Sequence, residues 1–278
     1  MVPNDPYYQS SGSWDQNFDD FYGLKKIHCE EAWDISQGEG VVVAVIDTGV
    51  DYNHEDIAEN IWINPGEDIN HNGKVDTEVM NHDEDINHNG LVDEGDFNGI
   101  DDDGNGYIDD ICDLNRIDDD GNGYIDDIRG WNFVGYNVKE EQDPKGNYYG
   151  NNDPMDDYGH GMHCAGTIAA VGNNNIGVIG VAPKARIMPV KGLDNTGYGT
   201  TDNLAMCIKY AADSGAKVLS NSWGPSTRVP SNRTMEEVID YVYAKGCIVI
   251  FASGNSDDDV AYYSPANYSK TIAVAAIE

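Results

Sequence analysis

Short runs of consecutive apolar, largely β-branched residues punctuate the chain. Residues 41–46 read VVVAVI, and similar runs occupy 187–193, 218–222, 247–252 and 271–277. An unbroken apolar run of that length fits a strand covered on both faces, because strict alternation is needed only where one face meets water. Between the runs the pattern changes. Residues 161–171 are small and apolar, 201–214 are amphipathic, and 232–245 carry Glu236 and Glu237 in their first turns, where a helix dipole favours acids. Strands alternating with helices predict crossover units and therefore an α/β fold, a doubly wound parallel sheet with helices on both faces. In such sheets the functional groups collect at the carboxyl ends of the strands.

A chain of 278 residues is long enough for one sizeable domain of this class. Sixteen Lys and Arg against fifty Asp and Glu leave a formal charge of −34, which repels phosphate and argues against nucleic acid or anionic lipid as a partner. No apolar run approaches the ~18 residues of a membrane span. The opening MVPNDPYYQS shows neither the basic end nor the apolar stretch of a signal peptide. Cys29, Cys112, Cys164, Cys207 and Cys247 are scattered and form no CxxC pair, so neither a zinc cage nor a disulfide framework can be read from them.

The acid is concentrated. Residues 68–127 hold twenty Asp or Glu against only Lys74 and Arg116, which predicts one α/β domain interrupted by a long acidic insertion. The insertion is a repeat: DINHNGKVD, DINHNGLVD and two copies of DDDGNGYID, starting at Asp68, Asp85, Asp101 and Asp118. Oxygen-bearing side chains recur at positions 1, 3, 5 and 9. They are Asp68, Asn70, Asn72 and Asp76; Asp85, Asn87, Asn89 and Asp93; Asp101, Asp103, Asn105 and Asp109; and Asp118, Asp120, Asn122 and Asp126. With Gly at position 6, this is the first half of an EF-hand-type calcium loop, in which glycine makes the sharp turn. The bidentate acid expected at position 12 is present only as Asp96; Val79, Cys112 and Arg129 stand there in the other copies. The reading is Ca2+ at several sites, weak enough to suit millimolar extracellular calcium; the plain alternative is a solvated loop whose Asn-Gly and Asp-Gly pairs are turns. His71 and His88, at position 4, face solvent in such a loop.

Three segments outside the insertion carry candidate chemistry. The first apolar run ends in Asp47, within DTGVD, where a carboxylate at a strand mouth could orient a base. His160 lies between two glycines in YGHGMHCAGT, at the start of a small-residue helix, so its imidazole can project into a cleft. Asn255 follows a buried strand in FASGNS, where its amide could donate to a developing oxyanion. His160 and His163 as a metallohydrolase pair is a weak reading, because no carboxylate stands in HExxH register.

In this order the segments strongly resemble the subtilisin-like serine proteases, the subtilase family, and most of all its thermitase-like members. The resemblance runs from about Asn4 to the last residue through NDPYY, DTGVD, GHGMHCAGT, GVAPKARIMPVKGLDNTGYGT, SNSWG and SGNS. It implies Asp47 as triad acid, His160 as general base and Asn255 as the side-chain donor of the oxyanion hole. It implies that Gly197, Tyr198 and Gly199, with Ser222, Trp223 and Gly224, bracket an extended peptide by strand addition, and that Ala252, Ser253 and Gly254 wall the pocket for the residue before the scissile bond. A calcium site tying down the N-terminus would use Asp5, Asp56 and Asn174 with the carbonyls of Val171, Ile176 and Val178. Secretion and polypeptide substrates follow from the same resemblance.

Departures accompany it. Met162 stands where the family usually has Thr, the acidic loops are longer than usual, and no GTS, the family's nucleophile signature, occurs anywhere in the sequence. The expectation is therefore the N-terminal two-thirds of a subtilase catalytic domain, a fragment inactive without a Ser-bearing segment. A propeptide or a complementary C-terminal segment is the implied partner. The alternative is a catalytically inactive calcium-binding scaffold or interaction module, against which the joint presence of Asp47, His160 and Asn255 argues.

Overall fold

The computed structural model describes residues 2–68, 73–75, 118–134 and 150–276. They build a six-stranded sheet from β1 (Val42–Asp47), β2 (Trp131–Asn132), β3 (Arg186–Lys191), β4 (Val218–Asn221), β5 (Ile248–Ala252) and β6 (Thr271–Val274), in the order β2-β3-β1-β4-β5-β6. Every neighbouring pair is parallel, with Val42 opposite Arg186 and Asp47 opposite Lys191 between β1 and β3. All strand carboxyl ends therefore lie on one edge.

Among the described residues, five α-helices accompany the sheet: α1 (Tyr22–Lys26), α2 (Cys29–Trp33), α3 (His160–Ala169), α4 (Thr201–Asp213) and α5 (Arg233–Ala244). The continuous apolar run of β1 is explained by its two covered faces. Val43 and Val45 pack with Ile187 and with Ala165 and Ala169 of α3. Ala44 and Ile46 pack on the other face with Met188, Val190, and the inward side chains Leu204, Ile208, Ile239 and Val242 of α4 and α5. Each buried Val, Leu, Ile or Met side chain among them contributes about 1.5–3 kcal/mol.

The strand and helix runs read from the sequence all appear, shifted by a few residues at most ends. Of the run expected over 271–277, Thr271–Val274 form an edge strand where Ile272 and Val274 are about half exposed, and residue 277 lies outside the described residues. Asn232 is not the first residue of α5 but its cap, accepting from the Met235 amide at 3.3 Å. The short elements α1, α2 and β2 have too few residues to show a period, and the hydrophobic pattern does not announce them.

Candidate active site

Asp47 is the last residue of the central strand β1 and is 1% exposed. His160 opens α3, and its Nδ1 lies 2.7 Å from Asp47 Oδ1. The Thr48 amide donates to the same oxygen at 2.7 Å. Burial pushes the Asp47 carboxyl up, while the imidazole and the Thr48 amide pull the other way. The imidazole keeps 45% of its side-chain surface open, so one face of the pair meets solvent.

The chain brings these two residues together by docking the start of α3 onto the end of β1. A helix start leaves backbone N–H groups without partners, and here they are satisfied from outside the helix. The Gly161 amide donates to Thr48 Oγ1 at 2.9 Å, and the Met162 amide to Asp156 at 2.8 Å. Asp156 also accepts from the amides of Tyr158 and Gly159 and from Thr48 Oγ1 at 2.9 Å. Its own burial would raise this carboxyl, but the backbone donors and the threonine outweigh that and hold it below the ordinary carboxylate range. Contact at this joint is so close that only glycine fits at 161: a Cβ there would lie 2.1 Å from the Gly49 carbonyl oxygen and 3.1 Å from Asp47 Cβ.

Asp156 is thus the clamp between the end of β1 and the start of α3, although the sequence pattern did not single it out. Asp156→Ala is expected to destabilise the fold by about 2 kcal/mol, the scale of hydrogen bonds to a charged group. Because the carboxyl is held low, its stabilisation is present above the ordinary carboxylate pKa and fades as pH falls through the depressed value. Denaturant unfolding of both proteins at neutral and at strongly acid pH checks this, with the difference shrinking in acid.

Lys191 is a second residue the pattern passed over, though a lysine inside an apolar run was a visible signal. It is 4% exposed and donates to Asp157 at 2.6 Å and, at short range, to the Thr48 carbonyl, bracing the turn after Asp47. Cys164, one turn along α3, comes within 4.8 Å of the pair. Burial pushes its thiol up, and Asp47 and Asp156 add to that against a hydrogen bond with Ser222. A nucleophilic cysteine needs the opposite shift.

A cleft of about 240 Å³ is lined by the segment leaving β4, including Ser222, Trp223 and Gly224, and by Ala252, Ser253, Gly254 and Asn255 at the end of β5. Trp223 is fixed from below, its Nε1 donating to the Ile46 carbonyl at 2.9 Å and its ring meeting Phe251 edge-on at 5.0 Å. Gly197, Tyr198 and Gly199 lie in a turn closed by Asp194, which accepts from the amides of Thr196 and Tyr198, and Tyr198 is 71% exposed.

The N-terminal carboxylates meet as well. Asp5 and Asp56 are almost fully buried, and Asp5 Oδ1 has no hydrogen-bond partner. Asp56 accepts from Asn174 Nδ2 at 2.8 Å and from the Val178 amide at 2.9 Å, while the Val171 amide donates to its carbonyl at 2.8 Å. Burial, with some help from Asp5, raises the Asp56 carboxyl. An unpartnered buried carboxylate oxygen among oxygen donors fits a hard cation such as calcium. The segment holding Val171, Asn174, Ile176 and Val178 is tied to the N-terminus by the Tyr7 amide on the Gly177 carbonyl and the Asn173 amide on Asp5.

Of the repeat residues, Asp68, Asp118, Asp120, Asn122 and Asp126 are described. Asp68 accepts from the Gly73 amide at 2.7 Å, and Asp118 from the Gly123 amide at 2.9 Å, the same position-1 to position-6 closure in two copies. Asp126 has a left-handed backbone, φ 54°, and is 5% exposed. Asn70, Asn72, Asp76, Asp85, Asn87, Asn89, Asp93, Asp101, Asp103, Asn105 and Asp109 lie outside the described residues.

A model of the subtilase family, peptidase S8, matches residues 38–278. The chain belongs to the subtilase family. Thermitase of Thermoactinomyces vulgaris is 32% identical over 279 aligned residues, covering all of this chain and 66% of that protein. A thermophilic serine proteinase of Bacillus sp. (strain AK1) is 31% identical, again over the whole chain but only 46% of the relative. A solved protease structure from Pseudoalteromonas arctica superposes with a TM-score of 0.61 at 23% identity, over all of this chain and 66% of that one, which bears on the fold alone. This subtilase chain thus spans about two-thirds or less of the length of these relatives.

Proposed function

We propose that this subtilase chain supplies the acid, the general base and an oxyanion donor of a serine endopeptidase that cleaves polypeptides. The carrying observation is the 2.7 Å bond between His160 Nδ1 and buried Asp47. With Nδ1–H donated to Asp47, the imidazole is held in the tautomer whose Nε2 accepts a proton. Nε2 takes the proton of a serine hydroxyl as that oxygen attacks the peptide carbonyl. The carbonyl oxygen gains the negative charge, which the Asn255 amide stabilises. Nε2 then passes its proton to the departing amine, and water hydrolyses the acyl ester by the same route. The serine comes from a segment outside these 278 residues, since no GTS occurs within them.

The substrate lies as an extended strand between the 197–199 turn and the Ser222–Gly224 segment, its side chain before the scissile bond entering the cleft walled by Ala252, Ser253 and Gly254. Apolar side chains are preferred there. The nearby acid Asp258 is engaged by Arg228 through bonds of 2.7 and 2.8 Å, and that guanidinium holds its carboxyl down at about 2.

Calcium stabilises the protein. Asp5, Asp56 and Asn174 with the carbonyls of Val171, Ile176 and Val178 hold one ion, and the acidic insertion at 68–127 holds others on its repeats. Loops lacking a position-12 acid bind weakly and work where calcium is millimolar, outside the cell. Among the described residues no helix is long and apolar enough to cross a membrane. The missing GTS also favours a second reading, a calcium-binding scaffold without peptidase activity.

The experiment uses the chain joined to a serine-bearing segment. Asn255→Ala is expected to lower kcat about 10²–10³-fold with KM nearly unchanged, because the oxyanion exists only in the transition state. A change confined to KM would remove Asn255 from that role.

A further inference from the structure

The last repeat copy is completed from outside itself. We infer that Glu67, Asp120 and Asp127 form a calcium site that fastens the acidic insertion to the body of the sheet, Glu67 supplying the carboxylate that Arg129 at the twelfth loop position cannot. The inference builds on the reading of the repeat as a calcium loop, but its test counts bound metal and is blind to peptide cleavage.

Each of the three residues presents a carboxylate oxygen within 4.8 Å of the other two. Glu67 is fully buried. Its Oε1 accepts from the amides of Asp119 at 3.0 Å and Asp120 at 3.3 Å, while its Oε2 is buried with no hydrogen-bond partner at all. A carboxylate oxygen taken out of water and left unsatisfied is strongly unfavourable, and more so beside two further carboxylates. Glu67 and Asp127 are both fully buried, so little water screens the repulsion between their carboxylates. A divalent cation removes the same repulsion and satisfies the empty oxygen. The donors are all oxygen, which selects a hard cation over zinc, whose usual sites use nitrogen and sulfur. Asp120 is the exposed member and leaves the site open to entry.

The surroundings are built to hold this geometry. Asn64 is 4% exposed and donates to Asp120 at 3.1 Å and to Asp127 at 2.8 Å, while its own amide donates to the Ile128 carbonyl at 2.8 Å. The 64–67 turn presses so closely on the loop that a Cβ at Gly66 would lie 2.4 Å from Asp120 Cβ. On the far side, Tyr210 of α4 donates its hydroxyl to Asp127 at 2.5 Å, and its ring packs edge-on against Tyr124 and Phe133 in the core. An ion here joins the 64–67 turn, the 118–127 loop and α4, the helix that follows the 196–200 turn.

The test is calorimetric titration of the full chain with calcium alone, beside the Glu67→Gln variant, with melting of both in EDTA and in millimolar calcium. We expect the variant to bind one ion fewer, or one ion at least tenfold more weakly. It should melt higher than the parent in EDTA, where a repelling charge is gone, and lower in calcium. An unchanged stoichiometry and affinity, or a melting change of the same sign in both conditions, would overturn the site. Should the variant not fold, anomalous diffraction from terbium-soaked crystals of the parent chain decides. A peak among the three carboxylates supports the site, and terbium bound elsewhere with none there overturns it.

Discussion

A polypeptide of these 278 residues is expected to remain unlabelled by a fluorophosphonate probe and to cleave no peptide at a triad-level rate. The probe reacts only with a serine whose proton is taken by a neighbouring base. Ser253 and Ser256 flank Asn255 in the SGNS turn, the donor's place in the proposed mechanism and not the nucleophile's. Ser222 stands in the cleft wall after β4, in the SNSWG segment that the proposed mechanism gives to substrate binding. Removing the nucleophile from a triad of this kind costs about 10⁶ in turnover, or roughly 8 kcal/mol of transition-state stabilisation. Specific labelling of the purified chain would show that the nucleophile lies among these residues after all.

Once a serine-bearing segment is present, His160→Ala should lower turnover about 10⁶-fold, as much as loss of the serine, because the two act as one unit. Asp47→Asn should cost about 10⁴. An amide at 47 keeps the shape of the strand end but presents an N–H or a weaker acceptor to Nδ1, favouring the tautomer in which Nε2 carries the proton and cannot accept another. The two substitutions are informative because neither should unfold the chain. His160 is nearly half exposed, and Asp47 is replaced by its isostere in a site fixed by the backbone bonds of Gly192 and Leu193 to its carbonyl. Steady-state kinetics and melting temperatures measured together separate lost chemistry from lost fold.

The sheet was legible because each buried strand carries its own unbroken apolar run, so Val43–Val45 and Ile187–Val190 declare themselves without knowledge of their partners. The pairing of Asp47 with His160 was legible only through motif order, since nothing local to either residue says that positions 113 apart in sequence will share a 2.7 Å bond. The groups that enforce that bond were harder to see. Asp156 looks like one more acid in a charged stretch, and only the docked helix start turns it into an acceptor for three backbone amides and a hydroxyl. Glu67 was missed for a related reason. A loop motif is read along the chain, whereas Glu67 reaches the last repeat copy across more than fifty residues to accept from Asp119 and Asp120. Local periodicity and spacing record what a segment does by itself; they are silent on what folding brings to it from elsewhere.

The most direct measurement joins this chain to the serine-bearing stretch of a relative such as the thermophilic serine proteinase of Bacillus sp. (strain AK1), and follows fluorophosphonate labelling of the joined protein, its His160→Ala variant and the 278-residue chain alone. If Asp47 and His160 activate a serine supplied from outside, the joined protein labels on that serine, and both the variant and the isolated chain stay dark. Labelling that persists in the variant would contradict the assignment of His160 as the general base.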